Sequence, residues 1–338
     1  MDRRLALTGA AVVATAAVMV HLWRRARAAE VEVEALKADS APLPVMPLLP
    51  ISSPCTLALC RNLVLRDGDV FVCSYPKSGT TWMQHIVTSL LTRGARPAAG
   101  EHISAFAPFF EIDASWDAAK GEPRAGPLGE AAAGGRRVFN THLRWSQMPK
   151  QANSGARYIY VLRDGCDVAT SFYHHLSNQD GDGGFEGAFE AFFESWLHGS
   201  LPYGRWVDHV KSWLVLRRPG DGGASHVHVA VYEDLLAAPS AELLKLNAFL
   251  GLPPLSAAEL AALVEATSFR FMQQHEDRFQ PQSVQWKNGF HFIREGTAGN
   301  HTALMTAEQV QRFRAQVQRE FPRDVLRVRP AFVGSSSD

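Results

Sequence analysis

From Asp67 to Glu320, apolar residues fall into two kinds of run: short β-rich blocks and longer stretches at helical spacing. Val70-Phe71-Val72-Cys73-Ser74-Tyr75 follows the turn signal Asp67-Gly68 and reads as a buried strand. Tyr158–Leu162 and Val227–Tyr232 read the same way, and Val138–Thr141 supplies a further strand. Trp82, Ile86, Val87 and Leu90 recur at helical spacing and predict a helix through Leu91. A second helix is expected over Asp167–Leu176, after the turn Arg163-Asp164-Gly165. Others are expected over Glu242–Leu250, Ser256–Glu265 and Thr306–Glu320; the first follows Pro239-Ser240 and stops at Gly251. Strands alternating with helices predict an α/β fold with a mostly parallel central sheet flanked by helices. Ligands of such sheets sit at the carboxyl ends of the strands. The Gly-rich stretches Gly121–Gly135, Gly181–Gly187 and Gly220–Gly223 read as surface loops.

The N-terminal pattern differs. Leu5 to Trp23 is nearly uncharged and long enough to cross a bilayer as a helix. It predicts a single-pass membrane anchor within residues 1–28. The alternative is a targeting peptide, with Ala26-Arg27-Ala28 as a cleavage site and a soluble mature protein. Arg3 and Arg4 precede the stretch and Arg24, Arg25 and Arg27 follow it, so charge leaves the orientation open. A Pro-rich linker is expected over 29–56, the folded domain over 57–330 and a flexible tail over 331–338.

Charge and cysteine content narrow the chemistry. Lys+Arg and Asp+Glu both total 34, so no global field points to nucleic acid. Cys55, Cys60, Cys73 and Cys166 form no CxxC pair and have no associated histidine spacing, which argues against zinc. They read as free thiols, with Cys73 in a buried strand; Cys55–Cys60 is the one bridge the spacing leaves open.

Lys77-Ser78-Gly79-Thr80-Thr81 sits where a strand hands over to a helix, a place that favours anions. Gly79 permits close backbone approach, the threonine hydroxyls donate, and Lys77 adds a positive charge. The nucleotide-triphosphatase pattern is absent, because the lysine precedes the glycine. The octapeptide Tyr75–Trp82 resembles the 5′-phosphosulfate loop of the sulfotransferases that use 3′-phosphoadenosine 5′-phosphosulfate (PAPS), of the cytosolic type. Arg163-Asp164-Gly165-Cys166-Asp167-Val168-Ala169-Thr170-Ser171-Phe172-Tyr173-His174 resembles that family's 3′-phosphate element, with Arg163 and Ser171 at its ligand positions. The segments Tyr203–Val210, Tyr232-Glu233-Asp234 and Thr267-Ser268-Phe269 follow in family order.

The resemblance runs from about Asp67 to Phe313 and implies a PAPS site without a metal. It places Tyr232 and Thr267 at adenine and Trp82 stacked on the base. Ser268, Phe269, Met272, Phe292, Ile293, Arg294 and Gly296 complete the implied nucleotide contacts. Phe292–His301 resembles the family's Arg-Lys-Gly-x-x-Gly-Asp-Trp-Lys segment, but Glu295 replaces a lysine and His301 a tryptophan.

By the same resemblance, Thr141-His142-Leu143 is similar to the family's Lys-Thr-His motif and makes His142 the base. The family's lysine is Asn140 here, which shifts transition-state charge to Lys77. The implied acceptor is a small molecule or glycan bearing a hydroxyl or amine. Residues around Phe106–Phe110 are candidate pocket lining. His174 and His175 read as exposed or core histidines. The family's dimerisation segment is not recognisable, so the oligomeric state stays open. Two rival functions are a catalytically weak nucleotide-binding relative, motivated by Asn140 and Glu295, and a kinase with a variant loop.

Overall fold

The computed structural model describes residues 46–94, 101–124, 135–150, 154–181, 183–214, 226–287 and 289–321. The compact unit described below begins at Pro47. Its centre is a sheet of four parallel strands: β1 (Val70–Ser74), β2 (Val138–Thr141), β3 (Arg157–Leu162) and β4 (Val227–Val231). They lie in the order β2-β1-β3-β4. Every residue of β1 is buried, as a strand covered on both faces requires.

Alternation along β1 sorts two cores. Val70 and Val72 face a cluster that includes Met83, Ile86, Leu90, Ile159, Val161 and Leu246. Phe71 faces the other way and stacks on its register neighbours, Phe139 at 5.1 Å and Tyr158 at 5.2 Å.

The chain enters this unit through helix α1 (Pro54–Asn62), whose N-cap Ser53 accepts the Thr56 N–H. Helix α2 (Thr80–Leu91) follows β1, and α3 (Gly165–Ser177) follows β3, with the Asp164 carboxylate capping the Cys166 and Asp167 N–H groups. Then come α4 (Phe189–His198), α5 (Trp206–Leu214), α6 (Tyr232–Ala237), α7 (Pro239–Phe249), α8 (Ala257–Ala266), α9 (Phe269–Gln274) and α10 (Ala307–Glu320). Ser256 and Thr306 stand just outside α8 and α10 as N-caps of capping boxes.

The structure adjusts several expectations. Tyr232 opens α6 instead of ending β4, and α7 begins at Pro239, where a missing N–H costs nothing. Helix α1 begins before Leu57, and the Tyr203 N–H donates to the Pro47 carbonyl, so ordered structure reaches into the segment expected as linker. The four cysteines are free, and no Cys55–Cys60 bridge forms. The anchor expected at Leu5–Trp23 and the tail at 331–338 lie outside the described residues, as do 125–134 and 215–225. Among the described residues no helix is long and apolar enough to cross a membrane.

Candidate active site

β1 ends at Ser74 and the chain turns into α2 through Tyr75–Gly79. Lys77 (φ 66°) and Gly79 (φ 99°) both lie in the left-handed region. For Gly79 the requirement is also spatial: a Cβ there would stand 2.7 Å from the Tyr232 ring. The first N–H groups of α2 have no partner within the helix, and the Gly79 N-cap offers them no side chain, which makes this turn favourable for an anion. Tyr75 anchors it from below by donating its hydroxyl to the Gly204 carbonyl at 2.9 Å.

Lys77 lies in this region, and among the described residues no carboxylate forms an ion pair with it. Its Nζ lies 3.4 Å from His175 Nδ1 and 4.1 Å from the centroid of the Phe292 ring. Burial, together with the nearby Arg163 and Arg294 charges, pulls its pKa down to about 7.

His142 follows β2, the neighbour of β1, at the carboxyl end of the sheet. Its Nδ1 lies 2.9 Å from the Ser74 carbonyl, which can only accept; the proton is therefore on Nδ1, and Nε2 carries the lone pair. Burial lowers its pKa to about 4, with Lys77 also contributing and the Ser74 hydrogen bond opposing. The His142 peptide is held on both sides. Glu111 Oε1 accepts its N–H at 2.7 Å, and the His209 Nε2–H donates to its carbonyl at 2.9 Å. His209 in turn accepts from the Tyr160 hydroxyl at 2.9 Å.

Arg163, at the end of β3, donates to the Lys77 carbonyl at 3.1 Å and the Thr297 carbonyl at 3.2 Å, and lies over the Tyr232 ring at 4.3 Å. The 292–301 segment is held to α3 by Asp167. Its carboxylate accepts from the Gly299 N–H at 2.7 Å, the His301 N–H at 3.0 Å and the His301 Nδ1–H at 2.7 Å. Burial opposes the ionised form of Asp167, but these bonds outweigh it and hold the carboxyl below its ordinary range. Asp164, Asp167 and His301 are close enough to suggest a metal site. Their lone pairs are instead committed to the α3 cap and the loop N–H groups. Glu295, which stands where the resembling motif has a lysine, pairs with its neighbour Arg294.

The opposite wall is apolar. Trp82 Nε1 donates to the Thr267 carbonyl at 2.7 Å and meets Tyr232 edge-on at 5.5 Å. Thr267 closes α8 and Ser268 caps α9, which carries Phe269 and Met272. A cavity of about 1160 Å³ joins these walls. It is lined by Lys77, Gly79, Thr80, Thr81, Trp82, His142, Arg163, Ser171, Tyr232, Thr267, Ser268, Phe269, Met272, Phe292, Ile293, Arg294 and Gly296. Ser78 is the sequence candidate left out: its side chain is 1% exposed, inside the loop, and its N–H bonds the Tyr75 carbonyl.

A sulfotransferase domain model matches residues 67–323. The chain belongs to the sulfotransferase family. Rat sulfotransferase 1A1 is 30% identical over 271 residues, covering 77% of this chain and 87% of that protein. The guinea pig 3-alpha-hydroxysteroid sulfotransferase is 29% identical, covering 75% and 83%. The crystal structure of mouse sulfotransferase SULT7A1 complexed with PAP superposes with a TM-score of 0.62 at 25% identity, over 83% of this chain and 95% of that one.

Within this sulfotransferase domain several site residues carry no motif signal. Glu111 is fully buried, and burial raises its pKa to about 7; the Thr141 and Tyr203 hydroxyls lie beside it. His175, expected as an exposed or core histidine, lines the cavity beside Lys77. Pro108 and Phe109 line it too, whereas Phe106 and Phe110 pack into the protein. Only the i, i+4 spacing of Ser171 and His175 on one helix face could have singled out His175.

Proposed function

We propose that this sulfotransferase moves a sulfuryl group from PAPS to the hydroxyl or amine of a small acceptor, with His142 as base and Lys77 at the leaving phosphate. The observation that carries the reading is the 2.9 Å contact of His142 Nδ1 with the Ser74 carbonyl, from which the tautomer follows. Its proton is committed to Ser74, so Nε2 offers a lone pair to the cavity that the Tyr75–Trp82 loop also lines. Sulfuryl transfer needs little more than this: an in-line approach, a base for the acceptor proton and a cation where negative charge leaves.

Each residue's task follows from its position. Gly79, Thr80, Thr81 and the α2 N-terminus would receive the 5′-phosphosulfate. Arg163 and Ser171, with Arg294, would take the 3′-phosphate through charge-assisted hydrogen bonds. Trp82 and Tyr232, 5.5 Å apart, form a platform for adenine beside Thr267, Ser268, Phe269 and Met272. Asn140 spends its amide on the Ala107 carbonyl, 2.8 Å away, and brings no charge, which leaves Lys77 as the cation beside His142. Phe109, Ile112, Leu176 and Tyr203 also line the cavity and suit a compact apolar acceptor, such as the hydroxysteroids in the guinea pig relative's name.

Radiolabelled PAPS offered with phenols, hydroxysteroids, amines and glycans tests the reading. Transfer should appear with at least one acceptor. His142→Ala should lower it by about 10² to 10⁴ while leaving the affinity for adenosine 3′,5′-bisphosphate within about threefold, since the substitution removes no proposed nucleotide ligand. A His142→Ala enzyme that transfers at the wild-type rate overturns it.

For the N-terminus we keep the anchor as the proposed role of Leu5–Trp23. Fractionation of the expressed full chain, with a deletion of residues 1–28 beside it, checks this. The full chain should sediment with membranes and the deletion should not.

A further inference from the structure

Lys77 is the cation on which the proposed transfer depends, yet its surroundings disfavour its charge. Burial weighs most, and Arg163 from the end of β3 and Arg294 from the 292–301 segment add positive potential; the face of the Phe292 ring, 4.1 Å from Nζ, offsets this only in part. His142, after β2, has its Nδ1 occupied by Ser74. Among the described residues, the one hydrogen bond recorded for Nζ is to His175 Nδ1 at 3.4 Å, a long contact but a directed one.

His175 is built for that contact. It stands in the last turn of α3, four residues after Ser171, so hydroxyl and imidazole face the same cavity wall. Trp286 meets its ring edge-on at 5.1 Å and Phe292 at 6.0 Å, which fixes the ring plane. Burial first, and then Lys77 and His142, hold its pKa well below the ordinary value, so the imidazole is neutral at pH 7. An ammonium only donates, so Nδ1 accepts and the ring proton sits on Nε2.

We propose that His175 is a positioning residue for sulfuryl transfer, whose neutral imidazole accepts from the Lys77 ammonium and keeps that side chain charged and directed at the shared wall of the cavity. The inference rests on the proposed function only for the use made of Lys77; the contact itself is independent of any substrate. Without an acceptor at position 175, the amine would lose its proton at lower pH. With an acceptor restored, it would not.

The test reads Lys77 directly. The full chain, without nucleotide, is labelled with acetic anhydride across pH 5.5 to 10, and modification of Lys77 is followed by peptide mass spectrometry. Only the neutral amine reacts, so the midpoint reports its proton affinity. His175→Leu and His175→Ile, which place no hydrogen-bond acceptor there, should lower the midpoint by about one pH unit relative to wild type. His175→Gln, which keeps an acceptor, should stay close to wild type. Thermal unfolding checks that the variants fold, and two acceptor-free variants guard against the loss of one. An unchanged midpoint in both acceptor-free variants, or a His175→Gln midpoint equal to theirs, overturns the proposal. The alkaline limb of kcat/KM for PAPS should move with the labelling midpoint. If the midpoint moves but no acceptor is sulfated by any form, the functional reading fails and the His175 contact stands.

Discussion

Glu111 Oε1 accepts the backbone N–H of His142 at 2.7 Å, so a fully buried carboxyl sets the peptide from which the proposed base projects. Glu111→Gln keeps an amide oxygen for that N–H and should retain kcat within a few-fold. Glu111→Leu removes the acceptor from a buried donor and should cost about 1–3 kcal/mol of stability, together with a clear fall in kcat. Denaturant unfolding and initial rates on the two variants check this. Equal behaviour of Gln and Leu would show that the contact is idle.

Acid should destabilise the fold before the carboxylates as a class titrate. Burial is the largest cause in holding His85, His142 and His209 to about 4, 4 and 3, below their unfolded value of 6.5. Below that value the unfolded chain takes up protons that the folded chain refuses, so stability is lost as pH falls from 6.5 toward 4. Glu111 acts in the opposite sense, since its folded form keeps a proton up to about 7 that the unfolded form releases near 4.5. Burial raises Asp164 and Glu233 in the same sense as Glu111, but it also lowers His174 and His175, so the buried imidazoles outnumber the opposing carboxyls. The melting temperature should therefore fall between pH 6.5 and 4.5, and a triple replacement of His85, His142 and His209 should flatten the slope.

Lys77→Met separates stability from function. Turnover should fall by at least about 10², because no other cation sits beside His142 on the loop. The fold should gain stability. Burial lowers the lysine to about 7, so its charge weakens the folded state fully below pH 7, and the deficit is relieved as pH rises toward 10.5. The gain in melting temperature of Lys77→Met should accordingly be large at pH 6.5 and small at pH 10. A melting temperature lowered at both pH values would contradict the account.

Gly296→Ala should weaken nucleotide binding without unfolding the chain. Gly296 has φ 61°, and a Cβ there would lie 2.1 Å from the Phe269 ring. Either the 292–301 segment or α9 must move, and both contribute to the proposed nucleotide wall. Calorimetry with adenosine 3′,5′-bisphosphate should show at least about tenfold weaker binding, a loss of roughly 1.4 kcal/mol. Unchanged affinity would mean that the segment relaxes freely.

The sheet was legible because Val70–Ser74, Tyr158–Leu162 and Val227–Val231 are nearly uninterrupted apolar runs, as strands covered on both faces must be, whereas Val138–Thr141 offers only Val138 and Phe139 to that pattern. The donor loop was legible because strand, glycine, hydroxyls and lysine are contiguous. What escaped the sequence is what chain topology assembles. Glu111 and His209 reach one peptide from opposite sides, and His175 acquires meaning only beside Lys77. Tyr232 carries a strand-forming residue type yet opens a helix, where its ring packs over Gly79. The partner of Glu295 was also hidden, since a carboxylate's direction cannot be read from its place in a motif.

Ser74 is shared by two tasks. Its hydroxyl bonds Thr80 at the start of α2 at 2.6 Å, and its carbonyl holds His142 at 2.9 Å. The proposed donor loop and the proposed base are thus geared to a single residue of the sheet, and neither can drift without the other. Cavity-lining positions such as Phe109, Ile112 and Tyr203, proposed to face the acceptor, lie outside the four strands of that sheet. Descendants of such an enzyme can exchange those walls and acquire new substrates while the chemistry is inherited intact.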